Sequence, residues 1–220
     1  MNAENLEQRV NKLEHELERV KAVNEIMNLA GRMQWEHTAN HTREIEKFFT
    51  HKAKDVRIYW GGSGYWEGPK EISKPGKTFP EHNPGHVPLH FMANPVIEVA
   101  KDGKTAKAVF VASGIVAMKD RKTKKPTAFW EFNRYGCDFI KEGGVWKIWH
   151  WHVFDLFGAG WNANWEDQFK PREGGGMSLP KELKQTYPAT PLDKGYNPDE
   201  ELTYIPYPEP YETFDPKSIY

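Results

Sequence analysis

Two side chains on predicted strands in the first half of the chain, a tyrosine and a histidine, could exchange protons with a substrate. Tyr59 lies in the segment VRIYW, ahead of a glycine-rich turn, and His90 lies at the head of LHFMANPVIEV. A phenol with a pKa of about 10 donates a proton at neutral pH, whereas an imidazole with a pKa of about 6.5 accepts or donates one. Facing one apolar cavity, the pair would perform acid–base chemistry without a metal or a nucleotide. The residues alone also fit a hydrogen-bonded core pair, and they do not fix which is the acid.

Further candidate residues follow from the alternation of side chains along the predicted strands, which places every second residue on one face. Aromatic residues on such a face would form the walls of a pocket, a methionine an adaptable floor, and a histidine would orient a substrate hydroxyl. A packed core explains the aromatic positions equally well. The predicted substrate-binding residues are Met33, Phe110, Trp130, Phe132, His150 and His152.

The histidines also raise the question of a metal site. His150 and His152 are two residues apart, and His86 and His90 stand in HVPLH, so together they could ligate zinc or iron. No carboxylate has a comparable spacing, and we therefore predict neither a metal nor another cofactor. The glycine-rich segments GGSG and EGGV lack a phosphate-binding spacing, which argues against a nucleotide site.

Composition limits the class of protein. With 220 residues, of which 38% are hydrophobic, the chain predicts one domain with a sizeable core. A net charge of −1 provides no basic surface for nucleic acid or an anionic membrane. The single cysteine, Cys137, excludes an internal disulfide framework and fits a reducing compartment. No apolar run approaches about 18 residues, so we expect a soluble, cytoplasmic protein that does not contact membranes.

The N-terminal segment carries an apolar seam whose spacing alternates between four and three residues, with Glu, Lys and Arg on its flanks. About two heptads of this pattern favour a helix that packs on a neighbouring subunit. The helix is predicted to continue to about Trp35, and a second helix is predicted over 41–49. The seam (6–30) is formed by Leu6, Val10, Leu13, Leu17 and Val20.

The middle of the chain reads as a strand-rich region. A short helix is predicted over 68–72, with Pro69 at its first position, and residues 73–86 are predicted to form a loop. The last four strands form a predicted antiparallel meander, so that residues 1–157 make an α+β domain. The predicted strands are 55–60, 65–67, 89–99, 105–115, 127–141 and 145–154.

The remaining segment, 158–220, has a different composition. It holds nine of the sixteen prolines, and YIPYPEPYETFDP can form neither a helix nor a central strand. Its interleaved Tyr, Ile and Phe predict an arm that packs on the domain or on a neighbouring subunit, with disorder as the alternative.

The order of these elements resembles the SnoaL-like branch of the nuclear transport factor 2-like superfamily. The resemblance covers residues 6–155 and rests on two helices, a hairpin, GPKEI, and a meander that begins with HF and closes on GGVWKI. It implies a cystatin-like α+β barrel, in which a curved antiparallel sheet wraps the N-terminal helices as a cone. Members include scytalone dehydratase, bile-acid 7α-dehydratase and a hexachlorocyclohexane dehydrochlorinase. These are cofactor-free lyases with a pocket histidine at the position of His90.

The resemblance also places Tyr59 on a pocket tyrosine of the family, but other positions depart from the pattern. Met33 or Thr38 stands where the family has a helix-borne tyrosine or aspartate, and Gly114 stands where it has a carboxylate or a second imidazole. A His–carboxylate dyad is therefore expected to be missing. Glu131 lies on a strand whose facing the sequence does not fix.

A narrower resemblance, to bacterial γ-formaldehyde lyases of lignin-derived diarylpropane breakdown, implies loss of formaldehyde and water from a diarylpropane diol to give a stilbene. The predicted function is thus a lyase on an aromatic small molecule, in a homo-oligomer with a trimer as the expected form. One alternative is a dehydratase or isomerase of a steroid- or polyketide-like substrate, which an ordered carboxylate beside His90 would favour. The other alternative is a ligand-binding or assembly module without turnover.

Overall fold

A long helix, a short helix and six strands form the regular part of the fold in the computed structural model, which describes residues 3–60, 64–78, 81–119, 123–163, 183–188, 195–202 and 204–220. The first three residues of the predicted GGSG turn, the start of the turn at 120–126, and much of the predicted arm lie outside the described residues.

The first helix, α1, is continuous from Ala3 to Thr38. The predicted N-terminal helix is confirmed. The helix ends where Asn40 adopts a left-handed φ of 58°, a conformation in which helices commonly stop. Ala22, Ile26 and Met33 are buried on one side of α1 and pack into the main core. These buried side chains hold α1 against one face of the sheet.

Two short helices differ from their predicted form. A 3-10 segment, Ile45–Phe48, takes the place of the helix predicted over 41–49. The helix predicted at 68–72 is instead a series of turns, and α2 follows it at Lys74–Thr78, inside the predicted loop. Gly68 has a φ of 105°, which is not helical, and α2 has its own proline at the second residue, where a missing N–H costs nothing.

The strands form one sheet in the order β2-β1-β6-β5-β4-β3. Strands β3 to β6 are the predicted antiparallel meander, but β1 pairs with β6 in parallel, so the sheet is mixed. The sheet is not closed into a barrel, since β2 and β3 are its edges. The bounds are β1 (Arg57–Trp60), β2 (Tyr65–Glu67), β3 (Val87–Val99), β4 (Thr105–Lys119), β5 (Pro126–Glu142) and β6 (Val145–Gly160).

Both faces of the sheet are covered. The inner face, on the side of α1, carries the main core, in which Phe110, Tyr135 and Phe139 pack against the helix. The outer face is partly covered by residues 204–220, of which Ile205 is buried. The predicted α+β fold with a curved sheet around an N-terminal helix is confirmed.

Candidate active site

The two predicted catalytic side chains lie on opposite faces of the sheet. On β1, Ile58 and Trp60 line the interior cavity beside α1, so Tyr59 between them points to the outer face. His90 faces inward, where Gln34 of α1 contacts its ring. The predicted pairing of Tyr59 with His90 across one cavity is therefore wrong.

Tyr59 belongs to a small cluster on the outer face. It is 1% exposed and packs with Phe154 and Ile205, beneath the C-terminal residues. The ring of His152 lies 5.5 Å from the ring of Tyr59. Ile205, one of the C-terminal residues, packs against this cluster. The sheet itself separates Tyr59 from His90.

The predicted substrate-binding residues divide in the same way. Met33 lines the interior cavity, and Phe110 packs in the inner core. Four others were placed on the wrong face: Trp130 stacks on Trp161 and Phe132 stacks on Phe157, both away from α1, and His150 and His152 lie on the outer face with Tyr59.

His150 is part of a buried charge cluster rather than of the interior cavity. Lys107 Nζ lies 2.6 Å from Asp138 Oδ1 and donates to the carbonyl of Ser218, and His150 Nδ1 donates to Asp138 Oδ2 at 2.8 Å. Burial works to lower the pKa of His150, but the hydrogen bond with Asp138 and the negative charge of Asp55, 3.8 Å from Nε2, outweigh it and raise this pKa. The cluster therefore ties the C-terminal residues to the sheet.

The inner face does hold a histidine–carboxylate pair. His90 Nε2 donates to Glu131 Oε2 over 2.8 Å, and the His90 side chain is 8% exposed. Gln34 Nε2 donates to the other ring nitrogen, Nδ1, at 3.4 Å. This network assigns the proton of the neutral ring to Nε2 and leaves the lone pair of Nδ1 toward Gln34, which itself lines the cavity.

Gly114 makes this pair possible. His90 is the register partner of Gly114 on β4, and Gly114 is the partner of Glu131 on β5, so the three residues form one row across three strands. Because glycine has no side chain, Glu131 reaches over it to the imidazole. The carboxylate that the sequence analysis expected to be missing is therefore supplied from one strand further along.

Replacement of Gly114 by alanine should break this contact. The new Cβ would lie 2.4 Å from the Leu89 carbonyl oxygen and 2.6 Å from His90 Cδ2, so the strand or the imidazole must move. We expect a loss of about 1–3 kcal/mol in the free energy of unfolding, as for other overpacked sites. Urea unfolding measures this, with Gly31→Ala as a matched control, because a Cβ at Gly31 meets nothing within 4 Å. A Gly114→Ala protein as stable as the wild type would contradict the geometry.

Two further imidazoles surround the pair. The ring of His37 stacks on that of His90, with centroids 5.3 Å apart. Burial, together with the positive charge that His90 and His86 can carry, lowers the pKa of His37 to about 3. Burial and His90 also lower the pKa of His86. These two rings are therefore neutral near pH 7, and Glu131 is the carboxylate within hydrogen-bond distance of His90.

The phenol on the inner face is that of Tyr135, not that of Tyr59. Tyr135 lines the cavity together with Met33, Gln34 and His37. Burial and the nearby charges of Glu131 and other groups raise its pKa above the ordinary value, so that it keeps its proton. The sequence analysis missed Tyr135, Gln34 and the role of Glu131. Tyr135 and Glu131 lie on the same face of β5, so assigning one residue of this strand to the inner face would have identified both. Gln34 lies on α1, one residue after Met33.

The cavity itself is small. Its volume is about 60 Å³, and Thr42, Ile45 and Pro75 are also among its lining residues. Pockets for drug-sized ligands measure about 300–1,000 Å³. A two-ring substrate must therefore displace lining side chains, and the flexible Met33 is suited to this.

The described residues contain no group of three or more His, Cys, Asp or Glu side chains arranged to hold a metal ion. Among the same residues, no helix is both long enough and apolar enough to span a membrane.

The fold and site define a class of protein: an open, curved α+β sheet around a helix, with a histidine–carboxylate pair on its inner face. A family model described as a SnoaL-like domain matches residues 18–152, more than half of the chain. The chain belongs to this family, as the order of its elements predicted. No curated protein matches the sequence.

Solved structures share the fold at low sequence identity. A putative scytalone dehydratase from Novosphingobium aromaticivorans is 16% identical, with a TM-score of 0.51 over 67% of this chain and 92% of that one. A hexachlorocyclohexane dehydrochlorinase is 12% identical, with a TM-score of 0.56 over 68% and 95%. A putative dehydratase of the NTF2-like family from Streptomyces avermitilis is 10% identical, with a TM-score of 0.51 over 63% and 98%. At these identities the likeness establishes the fold.

Proposed function

We propose that this protein is a cofactor-independent lyase that eliminates water from a hydrophobic aromatic small molecule, with His90 as the base. The observation that carries the proposal is the 2.8 Å contact between His90 Nε2 and Glu131, which leaves Nδ1 of the ring toward the cavity residue Gln34. A carboxylate that orients an imidazole and stabilises its protonated form is the arrangement that acid–base catalysis requires. Structural likeness to proteins named as dehydratases and a dehydrochlorinase supports the same class.

The reaction needs one base and one acid. The substrate displaces the Gln34 amide from His90 Nδ1. His90 Nδ1 then takes the proton from a carbon next to an aryl ring or a carbonyl, and the electron pair of that bond forms the new double bond. The hydroxyl on the neighbouring carbon leaves as water with the proton of Tyr135, a phenol that burial keeps protonated until this step. The imidazolium, held by Glu131, then returns its proton to the tyrosinate.

A second candidate is the loss of formaldehyde and water from a lignin-derived diarylpropane diol, which gives a stilbene. His90 would take the proton of the terminal hydroxyl, the carbon–carbon bond would break to release formaldehyde, and the benzylic hydroxyl would leave as water. Tyr135 favours this candidate, because it supplies an inner-face phenol in place of Tyr59. Simple dehydration remains the first candidate, because the ordered carboxylate of Glu131 beside His90 suits proton abstraction from carbon.

Two probes separate these reactions. An aryl β-hydroxyketone tests dehydration, and a para-hydroxyphenyl diarylpropanediol tests formaldehyde release, with products identified by mass and by a formaldehyde assay. Dehydration removes only water from either probe, whereas the second reaction yields a stilbene and formaldehyde together. A ligand-binding module would bind the probes without converting them. Conversion of either probe that His90→Asn leaves unchanged would overturn the proposal.

The facing of the two tyrosines gives a direct prediction. Tyr135→Phe should lower kcat about tenfold to a hundredfold, because the leaving hydroxyl loses its proton donor. Tyr59→Phe should leave kcat within about a factor of two, since its ring packs on the outer face. Both substitutions remove one hydroxyl from a buried ring, so each controls for the other. The reverse ranking would place the chemistry on the outer face.

A further inference from the structure

The apolar seam of α1 is fully formed and unpartnered within the described residues of one chain. Its side chains are exposed despite their size: Leu13 is 67% exposed and Val20 is 68% exposed. Asn24 and Met27 continue the same spacing after Val20, so that the seam covers about three heptads. The seam positions are Leu6, Val10, Leu13, Leu17, Val20, Asn24 and Met27.

The opposite side of α1 is the side that holds the helix on its own domain. Arg19 donates to the Val99 carbonyl, His15 contacts the Lys101 carbonyl, and Ile26 is 0% exposed in the core. In a heptad numbered with Val10 at position a, these domain contacts fall at c and f. Positions a and d therefore point away from the domain, where the described part of the chain leaves them exposed.

We propose that this seam forms a parallel two-stranded coiled coil with the seam of a second copy of the chain. Val10 at a with Leu13 at d is the pattern that favours two strands, whereas Leu17 at a with Val20 at d is the reverse arrangement. The polar Asn24 at an a position, rather than these apolar pairs, therefore selects two strands over the trimer expected from the sequence. Burying the seam on a copy of itself removes from water the large side chains that the single chain leaves exposed.

The charges beside the seam are complementary in the parallel arrangement. Position g of one helix approaches position e of the next heptad on the other helix. This juxtaposes Arg9 with Glu14 of the second copy, and Glu16 with Lys21 of the second copy, so both pairs are attractive.

Asn24 selects the register. It stands at an a position and is exposed in the single chain. In the parallel arrangement Asn24 faces its own copy and the two amides can hydrogen-bond. In an antiparallel arrangement it would face an apolar d residue. A single polar residue at a fixes orientation and strand number in this manner.

The first test changes the seam in the full-length protein. Leu13→Glu with Leu17→Glu places four carboxylates in the dimer interface and should halve the mass measured by light scattering. The matched control, Gln8→Glu with Asn11→Glu, adds the same charges at exposed positions off the seam and should keep the wild-type mass. An unchanged mass in the seam variant, or a wild type with the single-chain mass of 25.5 kDa, would overturn the proposal.

The second test measures orientation. Leu6→Cys introduces a thiol near one end of the seam, while the native Cys137 is buried. Mild oxidation should produce a disulfide-linked dimer, because a parallel pair brings both thiols to the same layer. Failure to cross-link while the mass stays doubled would exclude the parallel arrangement. The proposal does not depend on the lyase assignment, and circular dichroism confirms that each variant remains folded.

Discussion

Replacement of His90 by asparagine should lower kcat/KM about a thousandfold for whichever probe the protein converts. General acid–base groups contribute about a hundredfold to ten-thousandfold to a rate, and His90 combines a carboxylate partner with a nitrogen that contacts the cavity residue Gln34. Asparagine retains a polar side chain of smaller size, so the fold should persist. Steady-state kinetics with an unchanged urea midpoint would separate lost chemistry from lost structure.

Glu131→Gln provides the companion measurement. It removes the charge that stabilises the imidazolium but keeps a hydrogen-bond acceptor, so we expect a smaller loss, of about tenfold to a hundredfold, mainly in kcat. Glu98→Gln is the control, because Glu98 pairs in register with Lys107 on the outer face. Equal effects of Glu131→Gln and Glu98→Gln would contradict a catalytic role for the dyad.

The largest expected effect on stability is at Asp138, whose side chain is fully buried between Lys107 and His150. Asp138→Leu should lower the free energy of unfolding by about 3–5 kcal/mol, because it leaves the Lys107 ammonium buried without its partner. Urea unfolding measures the change, and residues 204–220 should become susceptible to proteolysis, because Lys107 also holds the Ser218 carbonyl.

A double variant distinguishes a lost ion pair from lost packing. Lys107→Met with Asp138→Leu removes both charges and should recover much of the loss, since no uncompensated charge remains. The exposed pair Lys47–Glu44 serves as the reference, because its disruption should cost about 0.5 kcal/mol or less. A double variant less stable than Asp138→Leu alone would contradict this account.

The positions of the helix and the strands could be predicted from the sequence, but the face of the sheet on which each side chain lies could not. Hydrophobic periodicity found α1 and all six strands, because long runs of apolar and β-branched residues have few alternatives. Facing is normally visible as alternation between an apolar and a polar side. Here the C-terminal residues bury much of the outer face, so β5 is buried at every position from Asn133 to Phe139. Tyr59, His150 and His152 were therefore assigned to the wrong side.

Two local features increased this difficulty. The register between β5 and β6 shifts between Phe132 and Asn133. Trp130 therefore has a different partner on β6 from the one that unbroken pairing would give it. The histidine–carboxylate pair was missed for a different reason. A carboxylate was expected on the strand next to His90, whereas Glu131 comes from the strand beyond it and crosses Gly114. The contact of Glu131 with His90 across Gly114 becomes visible only when the register of β3, β4 and β5 is known.

The most direct test of the central claim is a crystal structure with para-hydroxystilbene bound. The inner-face site predicts that one ring lies in the cavity between Met33 and Tyr135, with a polar group of the ligand about 3 Å from His90 Nδ1. A stilbene bound instead on the outer face, against Tyr59 and His152 beneath residues 204–220, would contradict the proposed site.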